Sequence, residues 1–270
     1  MPEGDTIFRA ARTLHRALQG EQVTGFVSVY PALMRHSVIG QPISGVSSVG
    51  KHLLIGFGGG LVLRTHMRMN GSWHLYRRGA RWRRPRGDMR IVITTAALEA
   101  VGFSIPVAEF IQESELARHE PLAALGPDIL DADFDPAEAL RRMRAAGTAE
   151  IAEVLLNQRV LAGIGNVYKS EILFTCRVNP FSPANALDDA VLEGLVATAV
   201  RFLRANVSDT RAPMTTYTGF RRTTNRANPS ERLWVYGRAG KPCRRCGEPI
   251  RMRRQGAHAR STYWCPGCQR

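Results

Sequence analysis

A chain of 270 residues is long enough for two modest domains, each with its own core. No apolar run reaches the length of a membrane span, and the start lacks the basic, apolar, small-residue order of a signal peptide, so a cytoplasmic protein with no membrane partner is expected. A formal net charge of +14 favours a polyanion such as nucleic acid, because neutralising phosphates releases condensed counterions. The alternative is a general Arg bias of the surface, which fits the fact that Lys51, Lys169 and Lys241 are the only lysines. The same bias draws attention to those lysines, whose chemistry arginine does not replace.

From the N-terminus, residues 5–18 place Ile7, Ala10, Ala11, Leu14, Ala17 and Leu18 on one helical face, with Asp5 as expected N-cap and Gly20 as stop. Next come short β-rich runs, "EQVTGFVSVY", "KHLLIGFGGGLVLRTHM", "GSWHLYRRG" and "MRIVITTAALEAVGF", separated by Gly, Pro and Asn. "GFGGGL" reads as a hairpin turn. This is the pattern of a sandwich or barrel rather than of alternating βαβ units. A Pro- and Asp-rich passage over 119–136 ends it, and helical periodicity resumes in "PAEALRRMRAA", "TAEIAEVLLNQRVL", "NVYKSEILFTC" and "DDAVLEGLVATAVRFLRANV". The polar stretch 207–231 has no periodicity and is expected to be mobile or ordered by a partner.

At the C-terminal end, Cys243, Cys246, Cys265 and Cys268 are spaced C-x₂-C-x₁₈-C-x₂-C. Two CxxC turns deliver four thiolates, enough to close a tetrahedral zinc site with no open position, so one structural Zn²⁺ is expected rather than two disulfides. Arg251, Arg253, Arg254, His258 and Arg260 lie between the two turns, either as a phosphate-contacting face or as a solvated basic one. Cys176 is left over and reads as a buried helical thiol. Upstream, "LLNQRVLAGIGNVYKSEILF" joins two apolar-faced helices through Gly163 and Gly165, with Asn166 placed to cap the second. Such a segment is either a structural helical hairpin or an anion site.

The start of the chain, "MPEGD", carries a candidate reaction. Loss of Met1 would leave the amine of Pro2, more neutral near pH 7 than a lysine side chain, beside the carboxyl of Glu3. Attack of that amine on the anomeric carbon of a sugar gives an iminium, which acidifies the adjacent C–H and permits strand elimination. Lys51, in "SVGKHLL", supplies a cation.

Taken in order, "MPEG", "GKHLL", "LAGIGNVYKSEILF" and "VYGRAGKPCRRCG…YWCPGCQR" resemble the formamidopyrimidine-DNA glycosylase/endonuclease VIII family over essentially the whole chain. The opening and ending look most like the endonuclease VIII branch, its actinobacterial members especially. The resemblance implies an α+β fold: an N-terminal helix with a β-sandwich over 1–130, a helical domain with a helix–two-turn–helix motif over 131–231, and a β-hairpin zinc finger over 232–270. Damaged double-stranded DNA would lie in the cleft between the domains, with the protein acting as a monomer at the bacterial nucleoid. The catalytic residues would be Pro2, the Schiff-base nucleophile, Glu3, the general acid at the sugar ring oxygen, and Lys51, which contacts the phosphate beside the lesion and assists catalysis. Asn166 and Arg260 would hold the backbone, and Glu171 would stand at the lesion pocket. Arg68, Met69 and Asn70, in "HMRMNGSW", would fill the gap left by an everted nucleotide; the alternative for Met69 is a core position under a β-turn.

The implied activity is a bifunctional glycosylase/AP lyase of base excision repair, acting on oxidised pyrimidines ahead of purines and cutting by β,δ-elimination, without redox or nucleotide cofactor. Met69 favours the other branch, a formamidopyrimidine/8-oxoguanine glycosylase. A non-catalytic damaged-DNA-binding protein is the reading of another class. One departure bears on all three: where relatives often carry a glutamate at position 6, this chain has Thr6, which cannot relay a proton as a carboxylate does, so base excision would be weak while abasic-site cleavage persists. A metalloenzyme is excluded by the closed cysteine set and by histidines that form no HExxH-like cluster, and His52 and His66 would then support the fold.

Overall fold

The computed structural model describes residues 2–207, 221–224 and 228–270, which fall into two compact units dividing after Ala124. Most of the aperiodic stretch 207–231, expected to be mobile or partner-ordered, lies outside the described residues. Among the described residues no helix is long and apolar enough to cross a membrane.

The first unit opens with α1 (Gly4–Leu18), which buries Ile7, Ala10, Ala11, Leu14 and Leu18, with Ala17 packed at the edge. The spacing of these residues makes one continuous apolar stripe, the reason the segment is stable only against a partner surface. Asp5 is not its N-cap. The Glu3 carbonyl already accepts from the Thr6 and Ile7 amides at 2.9 and 3.1 Å, so the helix starts upstream of Asp5 with Glu3 at the cap position. Asp5 instead lies buried in the first turn, accepting from the Thr6 hydroxyl at 3.3 Å and pairing with Arg9 at 3.4 Å. Gly20, with φ +83, comes after the helix end and takes the left-handed turn that side chains resist.

The unit then builds eight strands: β1 (Gly25–Ser28), β2 (Ile43–Val49), β3 (His52–Phe57), β4 (Leu61–His66), β5 (Ser72–Arg77), β6 (Met89–Thr94), β7 (Leu98–Phe103) and β8 (Val107–Gln112). They form two antiparallel four-stranded sheets, ordered β1-β6-β7-β5 and β2-β3-β4-β8. Alternate residues of both contribute to one core: Leu53, Ile55, Phe57 and Leu63 from one sheet, Trp73, Leu75, Ile91 and Ile93 from the other. The Trp73 indole donates to Thr65 Oγ1 at 3.2 Å. Gly58, Gly59 and Gly60 make the β3–β4 hairpin turn read from the sequence. A second hairpin turn, Gly50–Lys51, joins β2 to β3, so Lys51 sits in the turn and His52 begins the strand. A short helix, α2 (Glu120–Ala123), closes the unit.

Three of the unit's histidines, His52, His66 and His74, have their rings engaged by neighbours. His52 Nδ1 accepts from Arg64 Nη1 at 2.6 Å, and its ring meets His66 edge-on at 4.8 Å. His74 is bonded through both ring nitrogens, to Ser72 Oγ at 3.0 Å and Tyr76 Oη at 2.9 Å. Burial, then His66 and the Arg64 charge, lowers His52 to about 3; burial, then Arg68 and Lys51, lowers His66 to about 4; burial, then Arg84 and Arg83, lowers His74 to about 4.

The second unit is built on α3 (Pro136–Ala145), α4 (Ile151–Leu156), α5 (Asn166–Thr175) and α6 (Asp189–Val207). Asp135 caps α3 by accepting from the Ala137 and Glu138 amides at 2.8 and 3.3 Å, with Pro136 at the first turn. The shared core gathers Met143, Ile151, Leu155, Leu161, Ile164, Tyr168, Ile172, Leu195 and Leu203. Helix α4 is shorter than its periodicity suggests. Gln158 diverts the chain after Leu156: its Nε2 donates to the Leu156 and Ile164 carbonyls at 2.8 and 3.0 Å while its Oε1 accepts from Gly163 N at 3.1 Å. Strands β9 (Arg251–Gln255) and β10 (Arg260–Trp264) form the C-terminal hairpin.

Histidines held neutral in the fold must take up protons on unfolding below pH 6.5. Their contribution to stability is therefore complete above that pH and is lost as pH falls towards about 4. Thermal melts should show Tm falling by roughly 5 °C or more between pH 7.5 and pH 5; a flat profile over that interval would contradict the assignment.

Candidate active site and nucleic-acid interface

Pro2 and Glu3 are buried immediately before α1, Glu3 completely so. The helix behind them is fixed to the β2–β3 hairpin: His15 Nδ1 accepts from Val46 N at 3.1 Å. That hairpin carries half-buried Lys51 at its turn, and the charge of Lys51 is one of those that lower His66. Pro2, a buried carboxyl and a lysine on a tight turn thus belong to one unit.

Arg68, Met69 and Asn70 are all exposed on the turn between β4 and β5, Met69 at 50 %. The core position under this turn is taken by Met67, 2 % exposed, which removes the alternative of Met69 in the core. The turn is closed by Gly71 N donating to the Met67 carbonyl at 2.9 Å. A Cβ on Gly71 would meet that oxygen at 2.5 Å, so no other residue fits. Arg68 adopts φ +49, a costly conformation for a side-chain-bearing residue, and its amide donates to His66 Nδ1 at 3.0 Å. Below, Arg64 is buried with Nε donating to Glu109 Oε1 at 2.6 Å, and His119 Nε2 lies 3.2 Å from the same oxygen. From the sequence, His52 and His66 are expected only to support the fold; the structure shows that His66 supports this turn and that His52 braces Arg64 beneath it.

In the second unit, Asn166 is the first residue of α5 and does not cap it; Gly165 holds the cap position. The Asn166 side-chain amide turns away from the helix end to donate to Ser261 O at 2.7 Å and Ser261 Oγ at 3.1 Å. Lys169, completely buried, donates to Asn166 Oδ1 at 2.8 Å, Thr262 Oγ1 at 2.7 Å and Ser261 O at 3.2 Å. The Thr262 hydroxyl passes the chain to Gln255 Oε1 at 2.6 Å, and Gln255 Nε2 donates to Glu150 Oε2 at 2.5 Å. Arg260, half-buried beside Ser261, lines a cavity of about 340 Å³ together with Asn157, Gln158, Gly256 and His258. The arginines of β9, Arg251, Arg253 and Arg254, are exposed, and Arg253 pairs with Glu150 at 3.6 Å and lies over the Phe181 ring at 3.8 Å.

Glu171, expected at the lesion pocket, lies inside the second unit. It is wholly buried, and its two oxygens accept from the amides of Trp234 at 2.8 Å, Val235 at 2.9 Å and Tyr236 at 2.9 Å and from the Thr223 hydroxyl. Burial pushes this carboxyl up and the four donors pull it back. The group anchors the segment that leads into the cysteine module. Cys176, expected inside a helix, is half-buried at the end of α5, its thiol near Gly194 O and Thr198 Oγ1.

The four remaining cysteines fit a metal. Their sulfurs all lie within 4.8 Å of one another, with Cys243–Cys268 at 3.9 Å and Cys246–Cys265 at 3.4 Å. These spacings are far too long for disulfides and close to the roughly 3.8 Å edge of a tetrahedron with zinc–sulfur bonds of about 2.3 Å. Arg245 N points at Cys243 Sγ at 3.4 Å, and a Cβ on Gly267 would stand 3.3 Å from Cys246 Sγ. The set holds one structural Zn²⁺, four protein ligands leaving no position for substrate.

Chelating the zinc, or Cys265→Ser, should raise amide exchange through 251–264 while β3 and β4 stay protected; unchanged exchange in that hairpin would show that the metal does not hold it. Glu171→Gln leaves amides of the Trp234–Tyr236 segment without an acceptor and should cost about 1–3 kcal/mol, read as a lower Tm. A variant as stable as the parent but weaker on DNA would assign Glu171 to the lesion pocket instead.

Comparison with known proteins places this geometry. Residues 1–104 match the formamidopyrimidine-DNA glycosylase N-terminal domain, 125–217 its H2TH domain, and 240–270 the zinc finger found in FPG and IleRS. A probable endonuclease 8 2 of Streptomyces coelicolor is 40% identical, the match covering 100% of this chain and 94% of that relative. The DNA-(apurinic or apyrimidinic site) lyase Nei2 of Mycolicibacterium smegmatis is 36% identical over 100% of this chain and 99% of its own. Among solved structures, Lactococcus lactis Fpg in complex with DNA containing an oxidised pyrimidine superimposes with a TM-score of 0.84 at 24% identity, each chain covered over 100%. With three matching domains in order and relatives of this identity along its whole length, the chain belongs to the formamidopyrimidine-DNA glycosylase/endonuclease VIII family.

Proposed function

We propose that this protein is a bifunctional DNA glycosylase and AP lyase of base excision repair, acting through the amine of Pro2 once Met1 has been removed. The observation that carries the reading is Glu3, fully buried directly after Pro2 and fixed in place by the first turn of α1. A carboxyl so placed can protonate a sugar ring oxygen while the neighbouring amine attacks C1′. The C1′–N bond to the base breaks, and the base leaves with a proton. The resulting iminium acidifies C2′–H; loss of that proton expels the 3′ phosphate, and a second elimination expels the 5′ phosphate, leaving a gap flanked by phosphates.

The other assignments share this logic. Lys51 meets the phosphate beside the lesion, Asn166 and Arg260 hold the backbone, and Met69 with Arg68 and Asn70 occupies the space of the everted nucleotide, offsetting part of the unstacking cost. The zinc holds the shape of the finger and takes no part in the chemistry. Oxidised pyrimidines are favoured on the likeness of the opening "MPEGD" and the ending "YWCPGCQ" to the endonuclease VIII branch, and the relative at 40% identity carries the name endonuclease 8 2. Exposed Met69 favours the second reading, a formamidopyrimidine/8-oxoguanine enzyme. The domain limits proposed are 1–130, 131–231 and 232–270, and the working form is a monomer in the bacterial cytoplasm, on nucleoid DNA. The Thr6 hydroxyl is engaged by Asp5, which pairs with Arg9; this keeps position 6 out of proton transfer, consistent with excision weaker than abasic-site cleavage.

Untagged protein on duplexes with one abasic site or one oxidised pyrimidine tests this. Pro2→Gly should lose cleavage of both by roughly 100-fold or more, whereas Glu3→Gln should lose base excision and keep much of the abasic cleavage. Equal cleavage of the abasic duplex by Pro2→Gly and the parent would remove Pro2 as the nucleophile, and a parent that cleaves neither duplex would leave only the damaged-DNA-binding reading.

A further inference from the structure

The turn that carries Met69 is held from both sides, and only one of the two holders lies near it in sequence. On the β4 side His66 fixes the Arg68 amide. On the β5 side the holder comes from residue 84. Arg84 Nη1 donates to the Asn70 carbonyl and to Ser72 Oγ, both at 3.3 Å. Its Nη2 donates to Asp88 Oδ2 at 2.9 Å and to Ser104 Oγ at 3.3 Å, and the guanidinium lies over the Phe103 ring at 5.7 Å from the centroid.

These partners are themselves fixed. Ser104 adopts φ +49 at the β7–β8 turn, and its amide donates to the Asp88 carbonyl at 2.7 Å. The segment delivering Arg84 is pinned by Trp82, whose indole donates to Glu99 Oε2 at 3.0 Å and packs on Phe103, and by Arg83 N donating to Tyr76 Oη at 3.1 Å. A planar fork with five donors can reach four acceptors at once; an ammonium on a flexible stem cannot.

We infer that Arg84 is a positioning residue for base extrusion, holding the Met67–Gly71 turn so that Met69 is presented in one conformation. This rests on the function proposed above, in which Met69 enters the vacated stack. An exposed apolar side chain on a loose turn would enter slowly and in several poses; a turn closed at Gly71 and tethered at Asn70 and Arg68 presents it already ordered. Cleavage of an existing abasic site has no base to extrude, so it depends little on this tether.

The test is Arg84→Lys, which keeps the positive charge and removes the fork. Single-turnover excision of an oxidised base from duplex DNA should slow roughly tenfold or more, with abasic-site cleavage within about twofold of the parent. Stopped-flow fluorescence of a 2-aminopurine beside the lesion should show the extrusion phase slowed to match. Ser104→Ala, which removes one anchor and leaves the arginine, should show the same split at smaller size. In a Met69→Ala background Arg84→Lys should add little further loss, because both changes act through one side chain. Excision and abasic cleavage falling in step, or full additivity with Met69→Ala, would overturn the inference. A parent enzyme that excises no base would instead overturn the proposed function, so the two failures are distinguishable.

Discussion

A buried lysine organises the second unit. Lys169 Nζ donates to acceptors on Asn166, Ser261 and Thr262, and two of those residues belong to a hairpin more than ninety residues downstream. A buried donor of this kind is costly to leave unmet, so helix α5 and strand β10 are locked in one relation. The four-cysteine cluster holds the far end of the same hairpin, and Glu171, two residues further along α5, holds the segment that leads into it. The helix beyond the Gly163 turn, the finger and its basic residues therefore behave as one frame, built from polar satisfaction as much as from apolar packing.

The first unit solves a different problem. The function proposed for it needs the amine of Pro2 held in place, and the residues next to Pro2 must supply its position. Here Glu3 is at the cap of a helix whose apolar stripe is sunk into the sandwich core. Elsewhere in the same unit, an exposed methionine is displayed on a turn whose backbone is held by His66, Gly71 and Arg84. In each case the group to which the proposal gives a reacting or inserting role lies on a turn or just ahead of a helix, and its position comes from the elements beneath.

Much of this is legible in the sequence where the signal is local. The CxxC pairs, the α1 stripe, the Gly58–Gly60 turn and the strand runs are each contained in a short window, and the structure agrees with them. The misplacements are of another kind. Asp5 and Asn166 have the side chains of helix caps close to the right sequence positions, yet each helix begins upstream of the point expected, because another partner (Arg9 for Asp5, Ser261 for Asn166) competes for the side chain. Glu171 looks functional as a carboxylate in a motif, but its partners include amides 63 to 65 residues away. Arg84 is hidden among neighbouring arginines; nothing in one dimension tells the one that bridges several segments from those facing solvent. Lys169 alone leaves a trace, as a lysine kept in a chain that otherwise uses arginine.

The chemistry turns on whether the amine of Pro2 is the group that bonds to the sugar. Reduction with borohydride during reaction on abasic-site DNA, then proteolysis and mass spectrometry of the covalent adduct, reads that directly. The adduct is expected on the N-terminal peptide, at the nitrogen of Pro2, with Met1 absent. An adduct mapped to Lys51 or another amine, or none from protein verified to begin at Pro2, would contradict it.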